Sequence, residues 1–123
     1  MQHSERFLRI VEQAKSRVRE TTVAEVRGDL ESGVEFVLVD VREDREWRAG
    51  RAAGAIHLGK GVIERDIESA IPELDRKIVL YCGGGYRSAL AADALQQMGY
   101  TNVLSLAGGW RAWNEAAMPV DRD

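Results

Sequence analysis

Apolar residues follow a helical period at the start of the chain. They recur every three or four positions at Phe7, Leu8, Val11, Ala14 and Val18. This spacing predicts an amphipathic helix with Ser4 as its N-cap. We expect the apolar face to pack on the rest of the domain, although such a face also suits a partner protein. Residues 1–20 are therefore assigned to an N-terminal helical extension, and residues 21–123 to one domain.

Further along, the apolar residues form short continuous runs instead. Residues 35–41, 78–81 and 102–106 are nearly unbroken runs of this kind, as expected for strands buried on both faces of a parallel sheet. Residues 55–58 form a shorter candidate strand.

Helical patterns separate these runs. A capping-box pattern from Thr22 to Glu25 predicts a helix that Gly33 ends. Further helices are predicted over residues 62–70, 88–98 and 110–115, the second of them ended by Gly99. Strands that alternate with helices need crossover connections, so the chain is predicted to be α/β, with a mainly parallel central sheet flanked by helices.

Composition excludes several classes of function. The chain has 123 residues and a net charge of −3, with no basic cluster that would favour nucleic acid. Its single cysteine cannot form an intramolecular disulfide, and Cys82, His3 and His57 are too few ligands for a structural zinc site. The N-terminus has no long apolar segment, so we expect no membrane association and a cytoplasmic location.

The cysteine lies between a predicted strand and a predicted helix, and residues 82–88 read CGGGYRS. Backbone N–H groups and the positive end of the helix dipole favour a thiolate or an anionic ligand at such a place. Glycines can adopt positive φ, so the N–H groups of this loop can converge on one point. A free cysteine is otherwise most often a small buried hydrophobe, but three successive glycines are poor core material.

Two side chains of the loop leave alternatives open. Tyr86 is suited either to a pocket wall or to simple packing. Arg87 is suited to a bound anion, which we favour, or to an ion pair with a carboxylate such as Asp40 or Glu43. Ligands of open α/β sheets bind outside the carboxyl ends of the strands, so we expect the turn from Asp40 to Arg42 to lie beside the cysteine loop.

Four motifs follow one another in the chain: VLVDVRE at 37–43, GRAAGAI at 50–56, YCGGGYRS at 81–88, and LAGGW at 106–110 with Trp113. Together they resemble the rhodanese family, specifically its small single-domain members, over residues 34–120. The resemblance implies a single-domain rhodanese-like fold. It also implies a sulfurtransferase in which Cys82 carries sulfur as a persulfide, from a small anionic donor such as thiosulfate to cyanide, a thiol or a protein acceptor. Neither a metal ion nor an organic cofactor is implied.

On this resemblance, Cys82 is the catalytic residue, and Asp40 and Glu46 are structural residues near the site. The predicted substrate-binding residues are Gly83, Gly84, Gly85, Tyr86, Arg87, Ser88 and Arg42. Arg51 and Ala52 replace the histidine and isoleucine that many family members have in the second motif, so we expect the packing of that turn to differ. His57, which follows this motif, is interpreted as a structural residue. Glu46 lies where tandem-domain members often have a substrate-binding arginine, which disfavours donors that carry a carboxylate.

Two other functions compete with sulfur transfer. Phosphatases and arsenate reductases of a similar fold also use a cysteine loop that ends in arginine. Their loop encloses five residues, whereas four lie between Cys82 and Arg87. The second alternative is a non-enzymatic or persulfide-carrying interaction module, with the N-terminal helix as its docking surface.

Overall fold

A five-stranded, wholly parallel sheet forms the centre of the computed structural model, which describes residues 2–123. Its strands are β1 (Arg19–Thr21), β2 (Val37–Asp40), β4 (Ile56–His57), β5 (Ile78–Tyr81) and β6 (Val103–Leu106), in the spatial order β1-β6-β5-β2-β4. A separate antiparallel pair joins β3 (Arg51–Ala52) to β7 (Val120–Asp121). The predicted α/β class with a mainly parallel sheet is confirmed.

Within the described residues 2–123, six helices surround the sheet and cover both of its faces. They are α1 (Glu5–Lys15), α2 (Val23–Ser32), α3 (Asp44–Ala49), α4 (Ile63–Ala70), α5 (Tyr86–Gln97) and α6 (Gly109–Glu115). Side chains alternate along β5, so Ile78 and Leu80 join a core with α4 and α5, while Val79 and Tyr81 join a second core with α2 and α6. Both sheet faces are therefore buried, which explains the continuous apolar runs in the sequence.

The predicted helix caps of the first two helices are present. The Ser4 hydroxyl accepts a hydrogen bond from the Phe7 N–H at 3.2 Å, and the Thr22 hydroxyl accepts one from the Glu25 N–H at 3.2 Å. Only half of the second capping box forms, because the Glu25 carboxylate accepts from the Thr21 hydroxyl instead. Gly33 ends α2 in the left-handed conformation, at φ 71°.

Some elements were not predicted, and the reason is their length or their charge. Strands β1, β3 and β7 have two or three residues each, too few to show a period. Helix α3 reads DREWRA and buries no residue, so no apolar stripe marks it. Strand β1 also crosses the boundary predicted after residue 20, so the N-terminal extension runs directly into the sheet.

The register of β2 and β5 determines where the site lies. These strands are neighbours, with Asp40 opposite Tyr81, so both chains leave the sheet at the same edge. The turn after Asp40 and the loop that begins at Cys82 therefore lie side by side, as predicted from the strand order of α/β proteins.

Gly28 within α2 and Gly33 at its C-cap give a test of how this helix is built. We expect Gly28→Ala to stabilise the fold by about 0.5–1 kcal/mol, because alanine is the better helix former and nothing lies within 4 Å of the added Cβ. Gly33→Ala should instead destabilise it by about 1–2 kcal/mol, since it forces alanine into the left-handed region. Chemical denaturation of both variants measures the two signs, and two changes of the same sign would contradict the assignment.

Candidate active site

The sulfur of Cys82 lies inside its own loop, against backbone donors. Cys82 follows β5 directly and is 1% exposed. Its Sγ accepts hydrogen bonds from the N–H of Gly85 at 3.1 Å and of Ser88 at 3.4 Å. It also lies 3.5 Å from the Ser88 hydroxyl, which is 2.8 Å from the Ser105 hydroxyl. The predicted convergence of N–H groups on the cysteine is thus present, and a negative charge on sulfur is stabilised there.

The three loop glycines are not equivalent. Gly85 has φ 102°, in the left-handed region, and it caps the start of α5. Gly83 and Gly84 have no positive φ, so the expectation of unusual backbone angles holds for one of the three. A Cβ on Gly83 would lie 3.1 Å from Arg87 Nη2, which is a crowded contact. A side chain at position 83 would therefore require the Arg87 guanidinium to shift by a few tenths of an ångström.

Other N–H groups of the loop are free to bind a ligand. Within residues 2–123, the backbone N–H groups of Gly83, Gly84, Tyr86 and Arg87 form no hydrogen bond. All four residues line the cavity into which the loop opens. An anion bound beside Cys82 would satisfy these donors, together with the helix dipole of α5.

The start of α6 holds the outer side of the loop. The N–H of Trp110 donates to the carbonyl of Cys82 at 2.7 Å, and the N–H of Arg111 donates to the carbonyl of Gly83 at 3.2 Å. Gly109 has φ 49°, and a Cβ at this position would overlap the carbonyl oxygen of Cys82. The glycine is therefore required by both its backbone angle and the close approach of the two chains.

A buried ion pair holds the neighbouring strand end. Asp40 is fully buried and accepts hydrogen bonds from Arg42 Nη2 at 2.8 Å and from the Tyr81 hydroxyl at 2.7 Å. Arg42 also donates to the Gly50 carbonyl, and the Tyr81 oxygen accepts from the Ala52 N–H at 3.0 Å. Asp40 thus links the ends of β2 and β5 through buried hydrogen bonds.

This network gives Arg42 a structural role, and its predicted role in substrate binding stays a prediction. The Arg42 side chain is 3% exposed, and its guanidinium lies 4.6 Å from the centre of the Trp110 ring. Burial acts to lower the pKa of Arg42, but the hydrogen bonds and attraction to Asp40 outweigh it and the pKa is raised. Burial and the bond to Asp40 likewise raise the pKa of Tyr81. Both groups therefore keep their protons and act as fixed donors.

Arg87 forms an ion pair with Glu46, which answers one question that the sequence left open. Its Nη1 lies 2.8 Å from Glu46 Oε1 and its Nη2 lies 3.2 Å from Oε2. This hydrogen bond raises the pKa of Arg87 and lowers the pKa of Glu46. In this structure the Arg87 guanidinium is therefore bound to a carboxylate, and its role in binding an anionic substrate stays a prediction. The partner carboxylate is neither Asp40 nor Glu43.

The cysteine loop opens into a cavity of about 510 Å³. Five loop residues line it: Cys82, Gly83, Gly84, Tyr86 and Arg87. The rest of its wall consists of His3, Phe7, Glu43, Arg45, Glu46 and Arg111. His3, Phe7 and Arg111 were not predicted as site residues. Phe7 shares a helix face with the buried Val11 and Ala14, so its inward direction was predictable from sequence, but the group it meets was not.

Comparisons with known proteins give the family. Residues 22–116 match the family model described as rhodanese-like domain. The chain belongs to the rhodanese-like domain family. It is 38% identical over 86 residues to a sulfurtransferase of Allochromatium vinosum, covering 70% of this chain and 78% of that one.

Two further matches cover most of this chain. A probable adenylyltransferase/sulfurtransferase of Mycobacterium tuberculosis is 37% identical over 98 residues, which are 80% of this chain and 25% of that protein. The chain thus spans a quarter of that relative's length. A solved structure from Rhodopseudomonas palustris, described as a protein of unknown function and possible tyrosine phosphatase, is 34% identical. It covers 98% of both chains, with a TM-score of 0.86. The Allochromatium vinosum relative is named as a sulfurtransferase, and the Mycobacterium tuberculosis relative as a probable one.

The departures from the family pattern are accommodated by local contacts. Arg51 donates to the Trp47 carbonyl at 3.0 Å and to Asp123 at 2.6 Å, and its guanidinium stacks over the Trp47 ring. His57 bonds the Arg42 carbonyl through Nε2 at 2.8 Å and stacks on Trp47. These contacts fit the structural interpretation of His57.

Within residues 2–123, no group of three or more His, Cys, Asp or Glu side chains is arranged to hold a metal ion. In the same part of the chain, no helix combines the length and apolar character needed to span a membrane.

Gly109 gives the test of how α6 holds the loop. We expect Gly109→Ala to destabilise the fold by about 2 kcal/mol or more, from left-handed backbone strain and overlap with the Cys82 carbonyl. It should also change the rate at which iodoacetamide alkylates Cys82. The matched control is Gly61→Ala, where nothing lies within 4 Å of the added Cβ and φ is not positive. Equal stability and equal alkylation rates for the two variants would show that the contact is unimportant.

Proposed function

We propose that this rhodanese-like domain transfers sulfane sulfur through a persulfide on Cys82, with thiosulfate as donor and cyanide or a thiol as acceptor. The Cys82 thiolate attacks the outer sulfur of thiosulfate, the S–S bond of the donor breaks, and sulfite leaves with the electron pair. An acceptor thiolate or cyanide then attacks the outer sulfur of the persulfide, and Cys82 leaves as thiolate. This is double displacement through a covalent intermediate, so ping-pong kinetics are expected.

One observation carries this proposal: the backbone N–H groups that surround the cysteine sulfur. Two of them, from Gly85 and Ser88, already contact Sγ, and the N–H groups of the other loop residues form no hydrogen bond within residues 2–123. Negative charge stays on sulfur in both half-reactions, first on the thiolate and then on the outer sulfur. A fixed set of N–H donors stabilises that charge without reorganising during the reaction.

Glu46 changes the role expected of Arg87. Because their ion pair neutralises the Arg87 guanidinium, we expect the loop N–H groups and the α5 dipole to attract the anionic donor in its place. A reduced thiol suits the cytoplasmic location that we propose, since thiols stay reduced in that compartment.

Phosphoryl chemistry is the second candidate, and the Rhodopseudomonas palustris neighbour makes it worth testing. Two features weigh against it. Only Gly83, Gly84, Gly85 and Tyr86 lie between Cys82 and Arg87, which favours a smaller ligand than a phosphoryl group. In addition, Arg87 is held by Glu46 and would have to exchange partners to bind phosphate. Aryl phosphate hydrolysis that is lost in Cys82→Ser would overturn the sulfur-transfer proposal.

A persulfide carrier or a binding module without turnover is the remaining alternative. Mass spectrometry of the protein isolated from its own cells separates these roles. A resident persulfide supports an enzyme or a carrier, and a trapped mixed disulfide with another protein supports a carrier. Deletion of residues 1–20 is a poor test of docking by the N-terminal helix, because the deletion removes two of the three residues of β1.

The direct test of the proposal is intact mass after incubation with thiosulfate. We expect wild-type protein to gain the mass of one sulfur atom, reversed by cyanide, because Cys82 is the only cysteine in the chain. Cys82→Ser should gain nothing. Wild-type protein that alkylates normally at Cys82 but never gains sulfur from thiosulfate would refute thiosulfate as the donor.

The ion pair of Arg87 with Glu46 gives a second test, with opposite signs for its two members. Glu46→Gln leaves Arg87 charged and unpaired beside the cysteine, so we expect KM for thiosulfate to fall about twofold to tenfold at low salt. Arg87→Ala should raise KM while leaving alkylation of Cys82 by iodoacetamide intact.

The lowered pKa of Glu46 determines the pH range in which the Glu46 and Arg87 variants are compared. A carboxylate with a lowered folded-state pKa contributes stability above its unfolded pKa of about 4.3, and this stability is lost as pH falls through the folded value. At pH 7 to 9 the pair is fully formed, so the variants are compared there. Unchanged thiosulfate kinetics in both variants would show that Arg87 has no electrostatic role.

A further inference from the structure

The cavity at Cys82 is much larger than the proposed inorganic donor requires. Its volume of about 510 Å³ lies within the range of about 300–1,000 Å³ that is typical of sites for organic ligands. Thiosulfate and cyanide are ions of a few atoms. Most of the cavity is therefore available to a second and larger reactant, which in a ping-pong cycle is the sulfur acceptor.

One wall of this cavity comes from outside the family-matched region of residues 22–116. The rings of His3 and Phe7 lie 5.1 Å apart, and the His3 ring meets the Tyr86 ring edge-on at 5.0 Å. Phe7 also meets Tyr86 edge-on, at 6.2 Å. These three rings form an aromatic wall, defined here as His3, Phe7 and Tyr86, in which the N-terminal segment supplies two members.

The aromatic wall is held in place by the packing of α1. Val11 and Ala14 on the inner face of α1 are buried. Just after the helix, the Arg17 guanidinium binds both carboxylate oxygens of Asp93 on α5, at 2.7 and 3.0 Å. The Lys15 ammonium lies 5.1 Å from the centre of the Tyr86 ring. The wall is thus preorganised rather than formed when a ligand binds.

Guanidinium groups line other parts of the same cavity. Arg87 is neutralised by Glu46, and Arg45 lies 3.5 Å from Glu43 in a highly exposed pair. Arg111 has no ion-pair partner within residues 2–123, and its Nη2 lies 3.9 Å from where a Cβ of Gly84 would be. The cavity therefore combines an aromatic wall with an uncompensated positive charge beside the cysteine loop.

We infer that the N-terminal segment forms the acceptor subsite of this cavity, in which His3 and Phe7 contact the apolar body of an organic thiol while Arg111 binds its carboxylate. The inference rests on the proposed sulfur transfer. In the step it concerns, the acceptor thiolate attacks the outer sulfur of the Cys82 persulfide. The S–S bond to Cys82 breaks, Cys82 leaves as thiolate, and the acceptor leaves as a persulfide.

The two half-reactions give a test that isolates the acceptor. Protein is loaded with thiosulfate and freed of donor, and loss of the added sulfur is then timed by mass after mixing with cyanide, 2-mercaptoethanol, thiophenol or 4-mercaptobenzoate. Phe7→Ala and His3→Ala should slow transfer to both aromatic thiols by about twofold to tenfold, while loading and transfer to cyanide stay within twofold of wild type. Arg111→Gln should slow transfer to 4-mercaptobenzoate, by about twofold to fivefold, but not to thiophenol.

The control for altered helix packing is Ile10→Ala, at a site on α1 that is 50% exposed and does not line the cavity. We expect it to match wild type with all four acceptors. Equal slowing with cyanide and aromatic thiols in Phe7→Ala or His3→Ala would indicate loop damage and overturn the subsite. Unchanged rates with every acceptor would overturn it too.

A binding measurement keeps this inference separate from the proposed function. Benzoate should protect Cys82 of wild-type protein from iodoacetamide, and the protection should weaken in Phe7→Ala and in Arg111→Gln but not in Ile10→Ala. This readout needs no persulfide, so it tests the subsite even if thiosulfate fails to load the protein. Absence of protection in wild-type protein would count against the subsite.

Discussion

The site depends on how the backbone of residues 82–85 is oriented between α5 and α6. The carbonyls of Cys82 and Gly83 are bonded to the N–H groups of Trp110 and Arg111, on the α6 side of the loop. With these carbonyls fixed there, the N–H groups of Gly85 and Ser88 can converge on the cysteine sulfur. The close approach requires Gly109, where a side chain would overlap the Cys82 carbonyl. A single glycine in a different helix thus maintains the anion-binding geometry around Cys82.

A buried hydrogen-bond network holds the ends of β2 and β5 together beside the cysteine loop. Asp40, Arg42 and Tyr81 bond to one another, and Tyr81 immediately precedes Cys82 in the chain. Such a network is costly to bury, but with its hydrogen bonds made it fixes one arrangement of the two strand ends. Because Arg42 is paired with Asp40 and Arg87 with Glu46, these two guanidinium groups contribute little net positive potential at the sulfur, and the oriented backbone N–H groups contact it directly.

The sequence allowed prediction of the sheet, most of the helices and the cysteine loop, because these features depend on local patterns. Gly33 and Gly99 marked helix ends that the structure confirms, and the apolar run before Cys82 marked β5 residue for residue. The partner of Arg87 was missed because Glu46 lies on α3, a short charged helix with no apolar stripe to indicate it. The aromatic wall was missed because it joins residues about eighty positions apart, through packing that no local pattern records.

We propose that backbone N–H groups of the loop, and not the Arg87 guanidinium, hold the sulfur that Cys82 carries. The most direct measurement is a crystal structure of the thiosulfate-treated protein at a resolution that places the sulfur atoms. We expect an extra sulfur on Cys82 within hydrogen-bonding distance of N–H groups of residues 83–87, with Arg87 still bound to Glu46. An outer sulfur held by a released Arg87, away from those N–H groups, would contradict the account.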